Sequence, residues 1–99
     1  MLYEKRRLGS SFQLTGQVLI PTDAGGTLLL AKSSTRSRSD TTILNTDATN
    51  TVYIGNMGLD NTNGYPLAPG TSITRRFNGD IYAIAVGGSV NVAYITCED

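Results

Sequence analysis

The chain has 99 residues, eight basic and eight acidic side chains, one cysteine, and neither histidine nor tryptophan. That length makes one domain with one core. The even charge argues against a general polyanion-binding surface, the missing histidine removes the commonest general base and metal ligand, and a lone Cys97 excludes an internal disulfide. No apolar run approaches the ~18 residues of a membrane span, and Met1 to Arg7 carries charge with no apolar segment after it, unlike a signal peptide.

Met1 to Ser10 reads as an arm or an edge strand, set apart from a single β-sandwich domain over 11–99. Ser11 to Ile20 alternates weakly, with Gly16 interrupting the pattern and Pro21 stopping it. Asp23 to Gly26 is a turn, Thr27 to Lys32 a short buried strand, and Ser33 to Asp40 a polar loop or edge. Thr41 to Asn45 and Thr51 to Ile54 are strands joined by Thr46 to Asn50. Gly55 to Gly64 is an Asn- and Gly-rich loop, and Leu67-Ala-Pro-Gly70 is a further turn. No window shows i, i+3, i+4 apolar spacing, so no long helix is expected. About seven or eight short strands at this spacing predict an all-β, antiparallel sandwich or jelly-roll-like barrel.

The last quarter reads as a three-stranded meander. Asn78-Gly79 lies between the runs Ser72 to Phe77 and Asp80 to Val86, a strong hairpin signal because both central residues of a type I′ turn need positive φ. That turn pairs Phe77 with Asp80, Arg75 with Tyr82 and Ile73 with Ile84. A three-residue turn, Gly87 to Ser89, then pairs Val86 with Val90, Ile84 with Val92 and Tyr82 with Tyr94. One face therefore gathers Ile73, Phe77, Tyr82, Ile84, Val86, Val90, Val92 and Tyr94 as core. The other carries Ile81, Ala83, Ala85, Ala93 and Ile95, too apolar for a solvated face. Either the N-terminal strands cover it or another subunit does, and the second case makes Ile81, Ala83, Ala85 and Ile95 a subunit contact.

Motifs that carry chemistry are few. Leu59 to Gly64 looks like a calcium loop, but with Gly64 at the turn position the first and twelfth ligand positions fall on Leu59 and Gly70, so the pattern fails. Arg36, Arg38, Arg75, Arg76, Lys5, Arg6 and Arg7 offer anion contacts or, more simply, solvated strand edges that discourage pairing. Of the five tyrosines, Tyr65 in a loop is the candidate exposed ring for stacking on a ligand. No nucleophile–base, zinc, phosphate-loop or dinucleotide motif is present, so the chain is read as no enzyme, with no catalytic residue, metal site or cofactor.

The second half holds a longer pattern: Thr42-Ile-Leu-Asn45, Val52-Tyr-Ile-Gly55, Gly64-Tyr-Pro-Leu-Ala-Pro-Gly70, Asn78-Gly-Asp-Ile-Tyr-Ala-Ile84 and Val90-Asn-Val-Ala. Over about Thr41 to Ile95 it resembles small virion proteins of tailed bacteriophages, which decorate capsids or form fibre and spike bases. These are turn and core residues, and residues 1–40 add nothing to the match. The resemblance implies a β-sandwich, structural service in a particle and a homo-oligomer, with a trimer favoured; it carries over no catalytic residue. The function expected is a non-enzymatic capsid decoration (cement) protein on the phage head lattice. The alternative is a fibre, spike or tail-associated module that contacts a host glycan or another virion protein. Partners would be the major capsid protein or another virion protein, with no nucleic acid and no membrane. Its place would be the virion, the head by preference, after synthesis in the host cytoplasm. Candidate capsid contacts are Leu2, Tyr3, Lys5, Arg6 and Arg7, whose backbone suits strand addition and whose charges suit an acidic partner.

Overall fold

The computed structural model describes residues 12–31, 38–60, 62–77 and 79–98, and the N-terminal arm lies outside them. They hold eight strands: β1 (Phe12–Ile20), β2 (Thr27–Leu30), β3 (Arg38–Asn45), β4 (Thr51–Gly55), β5 (Tyr65–Leu67), β6 (Ser72–Arg76), β7 (Ile81–Val86) and β8 (Val90–Glu98). Two four-stranded antiparallel sheets form, ordered β1-β8-β3-β6 and β2-β7-β4-β5. Among successive strands only β4 and β5 share a sheet; every other connection crosses between sheets. This is the eight-stranded jelly-roll arrangement of a β-sandwich.

The core lies between the sheets. The first contributes Ile20, Ile43, Val90 and Val92, all fully buried, and the second contributes residues such as Leu29, Val52, Ile54, Leu67 and Ile81. Each buried Val, Leu or Ile stabilises the fold by roughly 1.5–3 kcal/mol relative to leaving it exposed. The long β1–β8 ladder runs from Phe12↔Glu98 to Ile20↔Val90 and sets Gly16 opposite Tyr94. A Cβ at Gly16 would come within 2.7 Å of the Tyr94 hydroxyl oxygen, so the glycine that breaks the sequence pattern is a seat for the ring. Deeper in, Thr41 and Thr96 face each other across β3 and β8, and their buried hydroxyls bond at 2.7 Å, each satisfying the other. A register shift between Leu28 and Leu30 lets Leu29 and Leu30 both bury their side chains, which strict alternation forbids.

The C-terminal meander is corrected. β6 pairs with β3 through Ile43↔Ile73, β7 pairs with β2 and β4, and β8 pairs with β1 and β3. The expected pairs of β6 with β7 and of β7 with β8 do not form. Gly79 does take a positive φ of 128°, but Asn78 lies outside the described residues, and the reversal there carries the chain to the opposite sheet. Turn chemistry fixes where a chain reverses, not which strand it then joins. The error inverted β7. In a hairpin Val86 and Val90 would share a face; here Val86 is 38% exposed and Val90 is fully buried. Ile81, Ala83 and Ala85 line the interior, opposite Val90 and Val92 of the other sheet. Ile84 is also buried, but on the outward side of β7, where the segment before β2 runs past and the Ala85 N–H donates to the Pro21 carbonyl at 3.1 Å.

Candidate interaction surfaces

One polar side chain ties the sandwich together at a corner. Asn45 ends β3 and is fully buried. Its Nδ2 donates to the carbonyls of Asn50 and Leu67, both at 2.9 Å, and its Oδ1 accepts the Asp47 N–H at 2.9 Å. Its backbone accepts from the Gly70 N–H and donates to the Thr71 carbonyl. The side-chain amide thus joins a strand of the first sheet to β5 of the second and to the 46–50 loop. The strand-ending asparagine and the Leu67-Ala-Pro-Gly70 turn, separate in sequence, are one clamp.

The loop carboxylates serve their own backbone. Asp47 Oδ2 accepts the N–H groups of Thr49 and Asn50 at 2.9 and 2.6 Å, and the Thr49 amide, with Asn50 second, holds the carboxyl below its ordinary range. Asp60 Oδ1 accepts the Thr62 hydroxyl at 2.6 Å and the N–H groups of Thr62 and Asn63. The Thr62 hydroxyl is the largest cause of its lowered pKa, followed by the Thr62 amide. Both are Asx turns that order exposed loops. Among the described residues no group of three His, Cys, Asp or Glu could hold a metal ion.

The predicted site residues scatter. Leu2, Tyr3, Lys5, Arg6, Arg7 and Arg36 lie outside the described residues. Ile81, Ala83 and Ala85 are at most 2% exposed inside their own sandwich, so they offer no side chain to a second subunit. Ile95 differs: it is 40% exposed and lies on the outer face of the first sheet, because β8 alternates in the expected phase. On that face the pairing sets it between Thr15 of β1 and Thr42 of β3, with Leu44 opposite Ala93 and Leu19 opposite Asn91. Leu19 is 64% and Leu44 37% exposed. Hydroxyls and amides fill the gaps: Thr42 bonds Thr74 at 2.7 Å, and the Asn91 amide donates to Gln17 Oε1 at 2.7 Å. Among the described side chains, charge enters at one end, where Asp40 stands in register with Arg76.

Tyr65 is exposed as expected, at 58%, but it stands on an edge strand. It lines a cleft of about 330 Å³ where the second sheet ends in β5 and the first ends in β6. Ile73 and Phe77, both half-buried, line it with Arg75, Arg76 and Asp80. The sequence could not show this site. Tyr65 and Arg75 sit on edges of different sheets, and the expected hairpin placed Arg75 beside Tyr82 instead.

No protein-family model and no curated protein matches the chain. Among solved structures it is similar to a subunit from Bacillus endospore appendages, described as a novel family of disulfide-linked pili. The TM-score is 0.56 at 16% identity, over 90% of this chain and 86% of that one. At that identity the likeness is one of fold.

Proposed function

We propose that this chain is a non-enzymatic structural subunit of an assembled particle: a decoration protein on the head lattice of a tailed bacteriophage, acting as a homo-oligomer. The observation that carries this reading is the outer face of the first sheet, with Leu19, Leu44 and Ile95 exposed in a field of threonine, glutamine and asparagine and, among the described side chains, with charge at its end alone. A face depleted of charge that leaves several apolar side chains exposed among uncharged polar ones suits protein contact. The carboxylates of Asp47 and Asp60 are engaged by their own loops, which is consistent with a role by shape and not by reaction. The phage assignment and the trimer rest on the resemblance over Thr41 to Ile95.

The appendage subunit is a similar fold in a polymer, which agrees with an assembling role. The covalent chemistry does not carry over: one cysteine, Cys97, can link at most two copies, and a polymer joined throughout by disulfides needs more. Attachment here would be non-covalent, through the open face and through the Leu2, Tyr3, Lys5, Arg6 and Arg7 arm. Exposed ion pairs contribute only about 0–1 kcal/mol each, so a tight hold needs avidity across an oligomer. The second reading, a fibre- or tail-associated binding module, is favoured by the Tyr65 cleft alone.

The test is co-sedimentation of the purified chain with phage particles that lack it. Saturable binding to heads, reduced by Ile95→Asp and by deletion of residues 1–8 while circular dichroism stays native, is the expected result. Binding to tails only, or to neither fraction, overturns the head-decoration assignment.

A further inference from the structure

We propose that the cleft between β5 and β6 binds a carboxylate-bearing saccharide. This goes beyond the structural role and does not depend on it: Tyr65, Ile73 and Arg75, which carry the proposed contacts, lie on the inward sides of the two edge strands and not on the open face.

The cleft has the size and the parts for such a ligand. Its volume of about 330 Å³ is at the lower end of small-molecule sites, which run about 300–1,000 Å³. The Tyr65 ring gives an exposed aromatic wall against which the C–H face of a pyranose can lie. Ile73 and Phe77 give an apolar floor. Asn56 brings an amide that can donate to or accept from ring hydroxyls.

Charge selects the acid form. Arg75 and Arg76 line the cleft against a single acid, Asp80, in a chain with no net charge overall. A guanidinium presents a fork of donors that matches a carboxylate in bidentate fashion. The two arginines follow each other on β6 and so point to opposite sides of the strand: Arg75 shares the inward phase of Ile73 and faces the cleft, while Arg76 lines its rim.

The same features disfavour a peptide. β5 has three residues, and its centre, Pro66, has no N–H, so that edge cannot continue a ladder. The chain's own arm carries Lys5, Arg6 and Arg7, the wrong sign for a cleft with two arginines.

The experiment is an NMR titration of the isotopically labelled full chain with glucuronic acid, with glucose, acetate and triglutamate as parallel probes. Glucuronic acid is expected to shift Tyr65, Arg75 and Arg76 saturably, with a Kd on the order of 1 mM for a monosaccharide. Glucose and acetate should each bind at least about tenfold more weakly, since each keeps only half of the recognition. Tyr65→Ala and Arg75→Gln should each weaken glucuronic acid by about tenfold or more, while Tyr65→Phe keeps the ring and the affinity. Both positions are exposed, so native amide spectra of the variants are expected and check that the fold is intact. Absence of saturable shifts overturns the site. Equal affinity for acetate reduces it to a simple anion contact and overturns the saccharide; tighter binding of triglutamate overturns it in favour of an acidic peptide; and a Tyr65→Ala variant that binds normally places the ligand elsewhere.

Discussion

The two sheets turn unlike faces outward. On the second, the chain covers the middle of the face: Leu59 is 3% exposed on the far side of a bend where the Gly58 N–H donates to the Gly25 carbonyl at 3.2 Å, and Ile84 is 6% exposed, while Leu28 and Val86 toward its margins keep 42% and 38% of their surface. Leu59 sits in a seat walled by glycines. A Cβ at Gly64 would come within 2.7 Å of its Cδ1, and one at Gly26 within 2.9 Å of its Cδ2. On the first sheet, Leu19, Leu44 and Ile95 keep more than a third of their surface. Among the described residues, the Asn- and Gly-rich segment around Gly58 and Leu59 lies over the second sheet. The difference separates apolar residues that hold this fold together from apolar residues that are available to something else.

Core substitutions give the largest effect and set the scale for that contrast. Ile81→Ala should cost about 2–5 kcal/mol, because the site is interior and its neighbours come from both sheets. Leu59→Ala should fall in the lower part of the same range, since its glycine seat can collapse. If Leu59→Ala is silent in denaturant unfolding, the loop does not cover the second sheet in solution. Asn45→Ala follows. It leaves the Asn50 and Leu67 carbonyls and the Asp47 N–H without their partner, at about 1–3 kcal/mol for each group that stays dry. Asn45→Asp should be at least as damaging, because a carboxylate cannot donate to either carbonyl. Equal stability of wild type and Asn45→Asp would show that the corner clamp is not formed.

How far the sequence could be read follows from which interactions are local. The positions of every strand but β5, which reads as loop and turn, the absence of helix and the inward phase of β8 came from alternation and turn residues, and both signals act over a few residues. Gly16 was visible as an interruption but not as the seat of Tyr94, because the ring comes from a strand far along the chain. The phase of β7 is not legible in the sequence because both its faces are apolar: Ile81, Ala83 and Ala85 on one side, Tyr82, Ile84 and Val86 on the other. Alternation then gives no phase, and the Asn-Gly turn supplied the wrong one. The cleft at Tyr65 was beyond reach for a related reason, since it exists only where edges of two sheets meet.

The open face should behave in the opposite way to the core. Leu19→Asp and Ile95→Asp are expected to change unfolding free energy by no more than about 0.5 kcal/mol, as surface substitutions do, yet to lower the sedimentation coefficient if the face joins copies of the chain. A loss of stability like that of Ile81→Ala would mean that the face is already covered within one chain, and the contrast between the sheets would vanish.

The smallest effect concerns pH, and its sign is fixed by the loops. Asp47 and Asp60 both have folded pKa values below the ordinary carboxylate value of 3.8, because amides and hydroxyls of their own turns bond the ionised form. A carboxyl depressed on folding contributes stability that is fully present above its unfolded pKa and is lost as pH falls through its folded one. Both groups are exposed, so solvent screens the contribution and it is modest. The double variant Asp47→Asn, Asp60→Asn keeps an acceptor oxygen at each turn but removes the charge. Its denaturant midpoint should lie below that of wild type at about pH 7, and the gap should close as pH drops below about 3.8, where the wild-type carboxyls take up protons. Asp60 belongs to the loop that covers the second sheet, and Asp47 to the corner beside Asn45, so acid should loosen these regions before it reaches the first sheet. Amide exchange measured residue by residue at low pH tests that order: protection lost first in β1 and β8, with 47–50 and 60–63 still protected, would show that the Asx turns are not what responds to acid.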